Sequence, residues 1–352
     1  MRKIDLATIK VGSKISKTIY NSKGHVLLKA GTVLTDRYIK RLQELGFTSI
    51  FIDDGLIDDI NIEEAISENT RINALNCIRD IMQEVKRNKI IHVAPLKKAV
   101  NNIIDDLLTN KDIMLNLSDI RSYDDYTFNH SVNVTVISTF IGMSLHYRKD
   151  RLKDLGMGVL LHDVGKTQIP LEIINKPGRL TEEEYEIVKK HTWYGFDTLR
   201  KCPGIKLTSA HVALQHHERL DGTGYPRNLK GKRIIEFARI SAIADVYDAM
   251  TSDRCYRKSI PVHEVCHYLA EGSGVQFDQH ILDRFIEKVA IYPQGTRITL
   301  SDGRSGIVIK QNTGIPARPV IRLFWNEKGP LPKPVQINLA DNLELNIEDV
   351  IE

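Results

Sequence analysis

The sequence predicts a mainly α protein in which an all-helical central part lies between a small α+β module and a small β-domain. Three observations predict it. Apolar residues recur at spacings of three and four through residues 61 to 290, whereas β-branched runs broken by turn residues are confined to the two ends. The 352 residues are 42% hydrophobic and 27% charged, a globular composition on a chain long enough for about two or three domains.

Residues 1–60 read as the α+β module. ISKTIY and HVLLK alternate apolar and polar positions around Asn21-Ser22-Lys23-Gly24, a hairpin pattern. Thr35 is placed to cap a helix over DRYIKRLQEL, Gly46 suits its left-handed end, and FTSIFID returns as a strand. Residues 61–118 read as a helical connector, with Ile72, Leu75, Ile78, Met82 and Val85 forming an amphipathic stripe. That stripe serves a homodimer interface and packing on the helices that follow equally well. Residues 119–290 are a succession of helices and hold nearly all the chemically suggestive residues. Residues 291–352 read as the β-domain, with TRITL, SGIVIK and PVIRLFW as strands separated by Asp302-Gly303 and by residues 326–330.

The composition excludes several classes. A net charge of +4 is too weak an excess to predict a binding face for a nucleic-acid polymer. Cys77, Cys202, Cys255 and Cys266 stand far apart, without the spacing of a disulfide framework or a thiolate zinc site, which fits a reducing cytoplasm. No stretch approaches the roughly 18 to 20 apolar residues of a membrane span, so a soluble, cytoplasmic chain is expected.

The informative feature is a set of titratable residues on inward-facing helical positions. His130 lies on the stripe Tyr126, His130, Val134, Ile137 and Ile141. A single helix through RLKDLGMGVLLHDVGK would align Leu155, Val159, His162, Asp163 and Lys166. A buried carboxylate there requires either a metal ion or an ion pair between Asp163 and Lys166. Thr181 and Glu184 make a capping-box pattern for a helix aligning Tyr185, Val188, His191 and Gly195, with Gly195 leaving room below the imidazole. His216 and His217 end a helix beginning near Leu207. Their rings diverge by about 100° on a regular helix, so both reach one ion only from different angles or through a loosened last turn. Asp245 and Asp248 share a face of FARISAIADVYDAMTS and need partners, either metal or Arg254 and Arg257. Five imidazoles and two carboxylates exceed what one tetrahedral zinc with an open position can use. Two ions bridged by Asp163 are therefore expected, and the nitrogen-rich donor set suits iron, manganese or zinc over calcium or magnesium.

YTFNHSVNV, LLHDVGKTQIP, INKPGRLT, HHERLDGTGYP, IADVYDAMTSDRCYR and GVQFDQHILDRFI follow one another across about 165 residues. In these motifs the chain resembles the HD-GYP phosphodiesterases, HD hydrolases that degrade the bacterial second messenger cyclic di-GMP. The resemblance implies an all-helical HD-type catalytic domain over residues 119–290, with His130, His162, Asp163 and Asp245 on one ion and Asp163, His191, His216 and His217 on the other. It further implies that Asp163 and Lys166 are catalytic, with Lys166 contacting substrate phosphate, Arg254 and Arg257 approaching the second phosphate, and Tyr225 in the same pocket. Tyr126 stands where three-metal members carry glutamate, which implies two divalent ions, iron or manganese. Cys255 replaces a common proline without removing a ligand. Hydroxide attack on phosphorus would open the ring to linear pGpG, and a second round would give GMP. The alternatives are a catalytically silent cyclic-dinucleotide receptor and a phosphodiesterase for another cyclic dinucleotide; either fits signalling through a homodimer or a protein partner. The flanking modules also resemble appendages of some family members.

Overall fold

The computed structural model describes the chain except for residues 1, 22–23, 54, 58, 61–63, 110–125, 177, 253–258 and 352, with residues 2, 3 and 126 described by backbone alone. At the N-terminus, strands β1 (Arg2–Asp5), β5 (Ser49–Asp53) and β2 (Lys14–Ile15) form an antiparallel sheet in the order β1-β5-β2. A two-stranded ribbon pairs β3 (Ile19–Tyr20) with β4 (Val26–Leu28). Helix α1 (Asp36–Glu44) is capped by Thr35, whose hydroxyl accepts the Tyr38 N–H at 3.3 Å. It gives way to Gly46 at φ 80°, the left-handed conformation expected there. Leu6, Ile15, Leu34, Leu42 and Ile50 close a small core of their own.

The central part contains α2 (Glu68–Lys86), α3 (Val93–Thr109), α4 (Tyr126–Ser144), α5 (Lys149–Leu160), α6 (Leu171–Ile174), α7 (Glu182–Lys189), α8 (His191–Leu199), α9 (Leu207–Gln215), α10 (Glu236–Thr251), α11 (Val262–Glu271) and α12 (Gln279–Ile286). One apolar core runs through them from Ala65 to Val289, so α2 and α3 belong to the same packed body as the later helices. The stripe on α2 is consumed there. Ile78, Met82 and Val85 are buried, while Ile72 and Leu75 lie at the edge because the buried face is turned toward Arg71, Ala74, Cys77 and Ile81. Each fully buried Leu or Ile, such as Leu155 or Ile104, is stabilising by about 1.5–3 kcal/mol relative to exposure.

Helix α4 is buried on every side from Asn129 to Ile141 and packs against α2, α3, α5, α10 and α12. Two of its small hydroxyl residues allow that close approach by turning back on their own backbone. Thr135 Oγ1 donates to Ser131 O at 2.7 Å and Ser131 Oγ to Thr127 O at 3.2 Å, so neither demands water. The central helix thereby becomes a rigid post for whatever polar side chains it carries.

The C-terminal residues form an antiparallel sheet of β6 (Arg297–Leu300), β7 (Ser305–Lys310), β8 (Val320–Asn326), β9 (Gly329–Asn338) and β10 (Ile347–Ile351), ordered β10-β6-β7-β8-β9. Strands β6 to β8 are the three runs read from the sequence. Strand β9 carries Pro330, Pro332 and Pro334, which speak against a strand; it is tolerated because it lies at the sheet edge, where missing N–H groups face outward. The segment after β5 is fastened to this sheet. Ile57 packs with Ile307 and Ile309, and the Arg322 guanidinium grips both carboxylate oxygens of Asp59 at 2.7 Å. No described helix is long and apolar enough to cross a membrane.

Candidate metal centre

Five backbone segments bring the predicted histidines and carboxylates together. Helix α4 supplies His130. Helix α5 does not continue through Lys166 as the periodicity predicts; it ends at Leu160, residues 161–163 turn, and a 3-10 segment follows over Val164–Gln168. Close packing accounts for the change. A Cβ on Gly165 would stand 1.9 Å from His191 O and 2.5 Å from the Gly195 nitrogen, so only glycine lets α8 approach this closely. In the loosened turn, the adjacent residues His162 and Asp163 both face the cluster.

Helix α7 begins with the predicted capping box. The Glu184 N–H donates to Thr181 Oγ1 at 3.2 Å, and the Thr181 N–H to Glu184 Oε2 at 2.8 Å. The helix is interrupted at Lys190, and His191 opens α8. The room at Gly195 is taken by neighbouring chain, with Ala213 Cβ and the Gly165 nitrogen at 3.1 and 3.4 Å from where its Cβ would lie, instead of lying open beneath the imidazole. Helix α9 ends at Gln215, and His216 and His217 occupy the loosened end with ring centroids 4.0 Å apart. Helix α10 completes the set with Asp245.

Two groups result. Asp163, His191, His216 and His217 each offer a ligand atom within 4.8 Å of the others, as do His130, His162 and Asp245. All seven predicted ligand residues fall in one group or the other. The nitrogens are presented in a consistent way: His162 Nδ1–H donates to Val159 O at 2.8 Å, His191 to Val188 O at 2.6 Å and His216 to Val212 O at 3.0 Å. Each Nε2 therefore carries a lone pair into the cluster, the tautomer of a metal-ligating imidazole. His191 Nε2 and His216 Nε2 face one another at 3.4 Å, and both approach Asp163 Oδ1, at 3.4 and 3.8 Å. Buried His162 Nε2 and Asp163 Oδ1 have no hydrogen-bond partner among the described residues. Convergent lone pairs without donors are costly in a buried site, and a cation among them resolves that cost, so the donor set fits divalent metal.

The protonation states agree with this chemistry. Burial lowers His162, takes His191 down to about 4 and His217 to about 3, and puts His216 well below the ordinary imidazole value, leaving all four neutral at pH 7. Burial opposes ionisation of Asp163, yet the Lys166 ammonium and the surrounding imidazoles prevail and hold its carboxyl well below the usual range. Lys166 Nζ lies 2.5 Å from Asp163 Oδ2, so the ion pair weighed as an alternative to metal is present alongside the ligand cluster. His130 differs from the others. Burial disfavours its charge, but hydrogen bonds to Asp245 at 2.9 Å and Asp248 at 2.7 Å outweigh that and raise it to about 9.

Tyr225 packs on the His217 ring at 4.7 Å, and burial pushes its phenol far above the usual value, so it remains a neutral O–H. Arg254, Arg257 and Cys255 lie outside the described residues, as does the Tyr126 side chain. The periodicity does not single out several supporting residues. Asp248, read as needing metal, Arg254 or Arg257, is held among the described residues by His130, by Asn133 Nδ2 at 2.6 Å and by Ser252 Oγ at 3.3 Å. Buried Glu218 accepts the Arg227 and Leu229 N–H groups at 2.8 and 2.9 Å, clamping the loop that bears Tyr225. Gly224 belongs to that loop because a Cβ there would meet the Arg219 nitrogen at 2.4 Å.

Residues 114–281 match the family model described as HD domain, and residues 297–352 match the KOW domain associated with HD domain. The chain is 30% identical to a cyclic di-GMP phosphodiesterase of Pseudomonas aeruginosa, over 96% of this chain and 88% of that protein. It is 35% identical to a cyclic di-GMP phosphodiesterase of Thermotoga maritima, over 47% of this chain and 50% of the relative. The identity is also 35% to 3'3'-cGAMP-specific phosphodiesterase 1 of Vibrio cholerae, over 54% of this chain and 44% of the relative. An HDG"Y"P protein from Bdellovibrio bacteriovorus shares the fold, with a TM-score of 0.51 at 17% identity over 80% of this chain and 97% of that one.

Proposed function

The chain belongs to the HD-GYP phosphodiesterases of the metal-dependent HD-domain family, and from that premise we propose that it hydrolyses cyclic di-GMP to linear pGpG and, in a second round, to GMP. The observation that carries the proposal is the pair of adjoining ligand groups, with Asp163 Oδ2 3.5 Å from His162 Nε2 and lone pairs on His162, His191 and His216 directed into one buried space.

His130, His162, Asp163 and Asp245 would hold one divalent ion and Asp163, His191, His216 and His217 a second, iron or manganese by the nitrogen-rich donor set. Bound there, such ions supply a water whose pKa falls towards about 7 and neutralise charge on phosphoryl oxygens. Asp163 carries its charge between the two groups, so both depend on it. As a ligand, His130 would have to give up its Nε2 proton, while Asp248 would keep the proton on Nδ1. Lys166 is the more exposed partner of Asp163, at 30% against 1%, and is positioned to donate to a phosphoryl oxygen as negative charge grows in the transition state. Tyr225 walls the same side through its contact with His217. Arg254 and Arg257 are assigned to the second phosphate on resemblance alone. In each round water adds to phosphorus and the ester 3′-oxygen leaves with a proton.

Anaerobic metal analysis combined with chromatography of products from cyclic di-GMP tests the proposal. Metal-loaded protein that releases pGpG or GMP supports it, while binding without consumption makes the chain a receptor. A second reading, in which the substrate is 3'3'-cGAMP, is favoured by the Vibrio relative specific for that nucleotide; parallel turnover of both substrates decides between them.

A further inference from the structure

Helix α2 precedes every predicted ligand, yet it places a buried guanidinium behind the metal centre. Arg71 is 5% exposed, and its Nη1 donates to Asn133 Oδ1 at 3.1 Å. Asn133 Nδ2 donates to Asp248 Oδ1 at 2.6 Å, and Asp248 Oδ2 accepts from His130 Nδ1 at 2.7 Å. His130 Nε2 then faces Asp245 at 2.9 Å. The four links cross from α2 through α4 to α10, return to α4 and end on α10.

Every link has a fixed direction. A guanidinium only donates and a carboxylate only accepts, so the amide between them is satisfied in one orientation. Flipping Asn133 would set its NH₂ group against Arg71 and its oxygen against Asp248, leaving two buried repulsive contacts. With the amide held, Asp248 keeps an acceptor for the Nδ1–H of His130, and the imidazole presents Nε2 to Asp245 and the cluster. Positive charge on Arg71 also accompanies the buried Asp248 carboxylate, which would otherwise be costly on an apolar helix face.

We propose that Arg71 is a positioning residue for the metal centre: through Asn133 and Asp248 it fixes the tautomer and orientation of His130, making α2 part of the site built by His130, His162 and Asp245. This rests on the metal reading above. It acts on that site first: the group built by His191, His216 and His217 meets the relay only at its far end, where Asp245 Oδ2 lies 3.7 Å from His217 Nδ1.

The test is manganese titration of the metal-stripped full-length chain, with total metal analysis and a competing chelator. Wild-type protein is compared with Arg71→Met, Asn133→Leu and the double variant. Because partners of metal-ligating histidines typically change metal affinity by about 10–100-fold, each single variant is expected to weaken one of the two ions about tenfold and leave the other unchanged. The double variant should be no weaker than Asn133→Leu alone, since the relay is already cut there; independent packing defects would instead add. Arg71→Lys, which keeps a donor and the charge, should recover part of the loss. Wild-type affinity at both sites in folded Arg71→Met, or in folded Asn133→Leu if the arginine variant does not fold, would overturn the proposal, as would additive losses. Wild-type protein that binds no manganese overturns the metal reading itself, an outcome distinct from failure of the relay.

Discussion

Replacing Glu218 should release the loop carrying Tyr225 without emptying the metal centre. The buried carboxylate accepts two N–H groups, from Arg227 at 2.8 Å and Leu229 at 2.9 Å. Hydrogen bonds to a charged group contribute about 1.5–3 kcal/mol each, so Glu218→Ala removes about 3–6 kcal/mol of local restraint. At about 1.4 kcal/mol per factor of ten, exchange of these two amides with deuterium should accelerate by about 10²–10⁴. Glu218→Gln keeps one acceptor and turns an NH₂ group toward the other amide, so about 10–10² is expected. Metal content should remain at the wild-type level because the imidazoles of His162, His191 and His216 are fixed by their own helix carbonyls. KM should rise as Tyr225 loses its place on His217. Peptide-resolved exchange across residues 219–230 reads the effect directly, and unchanged exchange at Arg227 and Leu229 in Glu218→Ala would refute the clamp.

Asp163→Ala should abolish metal loading and phosphodiester hydrolysis together; purified variant retaining full metal and turnover would defeat the assignment. Lys166→Ala should keep its metal while turnover falls by about 10² or more, as for loss of one transition-state donor; equal turnover removes Lys166 from the chemistry. Gly165→Ala forces a methyl into the backbone of α8. A melting temperature lowered in keeping with at least the 1–3 kcal/mol of an overpacked core, with loss of metal from the His191 group, is expected, and an unaltered melt and metal content would show that the packing yields.

The sequence carries the ligands legibly because each sits on an amphipathic pattern where a polar residue is out of place. His130, His162 and His191 are therefore visible, and Asp163 and Asp245 stand out as carboxylates on apolar faces. The local path between them is less legible. The end of α5 at Leu160 is set by contact between Gly165 and α8, a tertiary constraint that helical periodicity does not contain. Arg71 and Asn133 lie 62 residues apart, so their pairing emerges only when α2 packs on α4. Strand β9 was obscured by its prolines, whose meaning depends on whether the strand ends up at an edge. Exposed elements such as α1 were plain because a cap and a left-handed glycine are local signals.

The grip of Arg322 on Asp59 turns a linear chain into a closed circuit, joining positions 263 residues apart. Trimming from one end is consequently not independent of the other. Removing residues 1–60 to isolate the helical part takes Ile57 and Asp59 away from the far sheet. Ile307 and Ile309 then face water, and Arg322 loses its counter-ion. A shortened protein that aggregates would thus report an uncovered C-terminal sheet, with its helical core still intact.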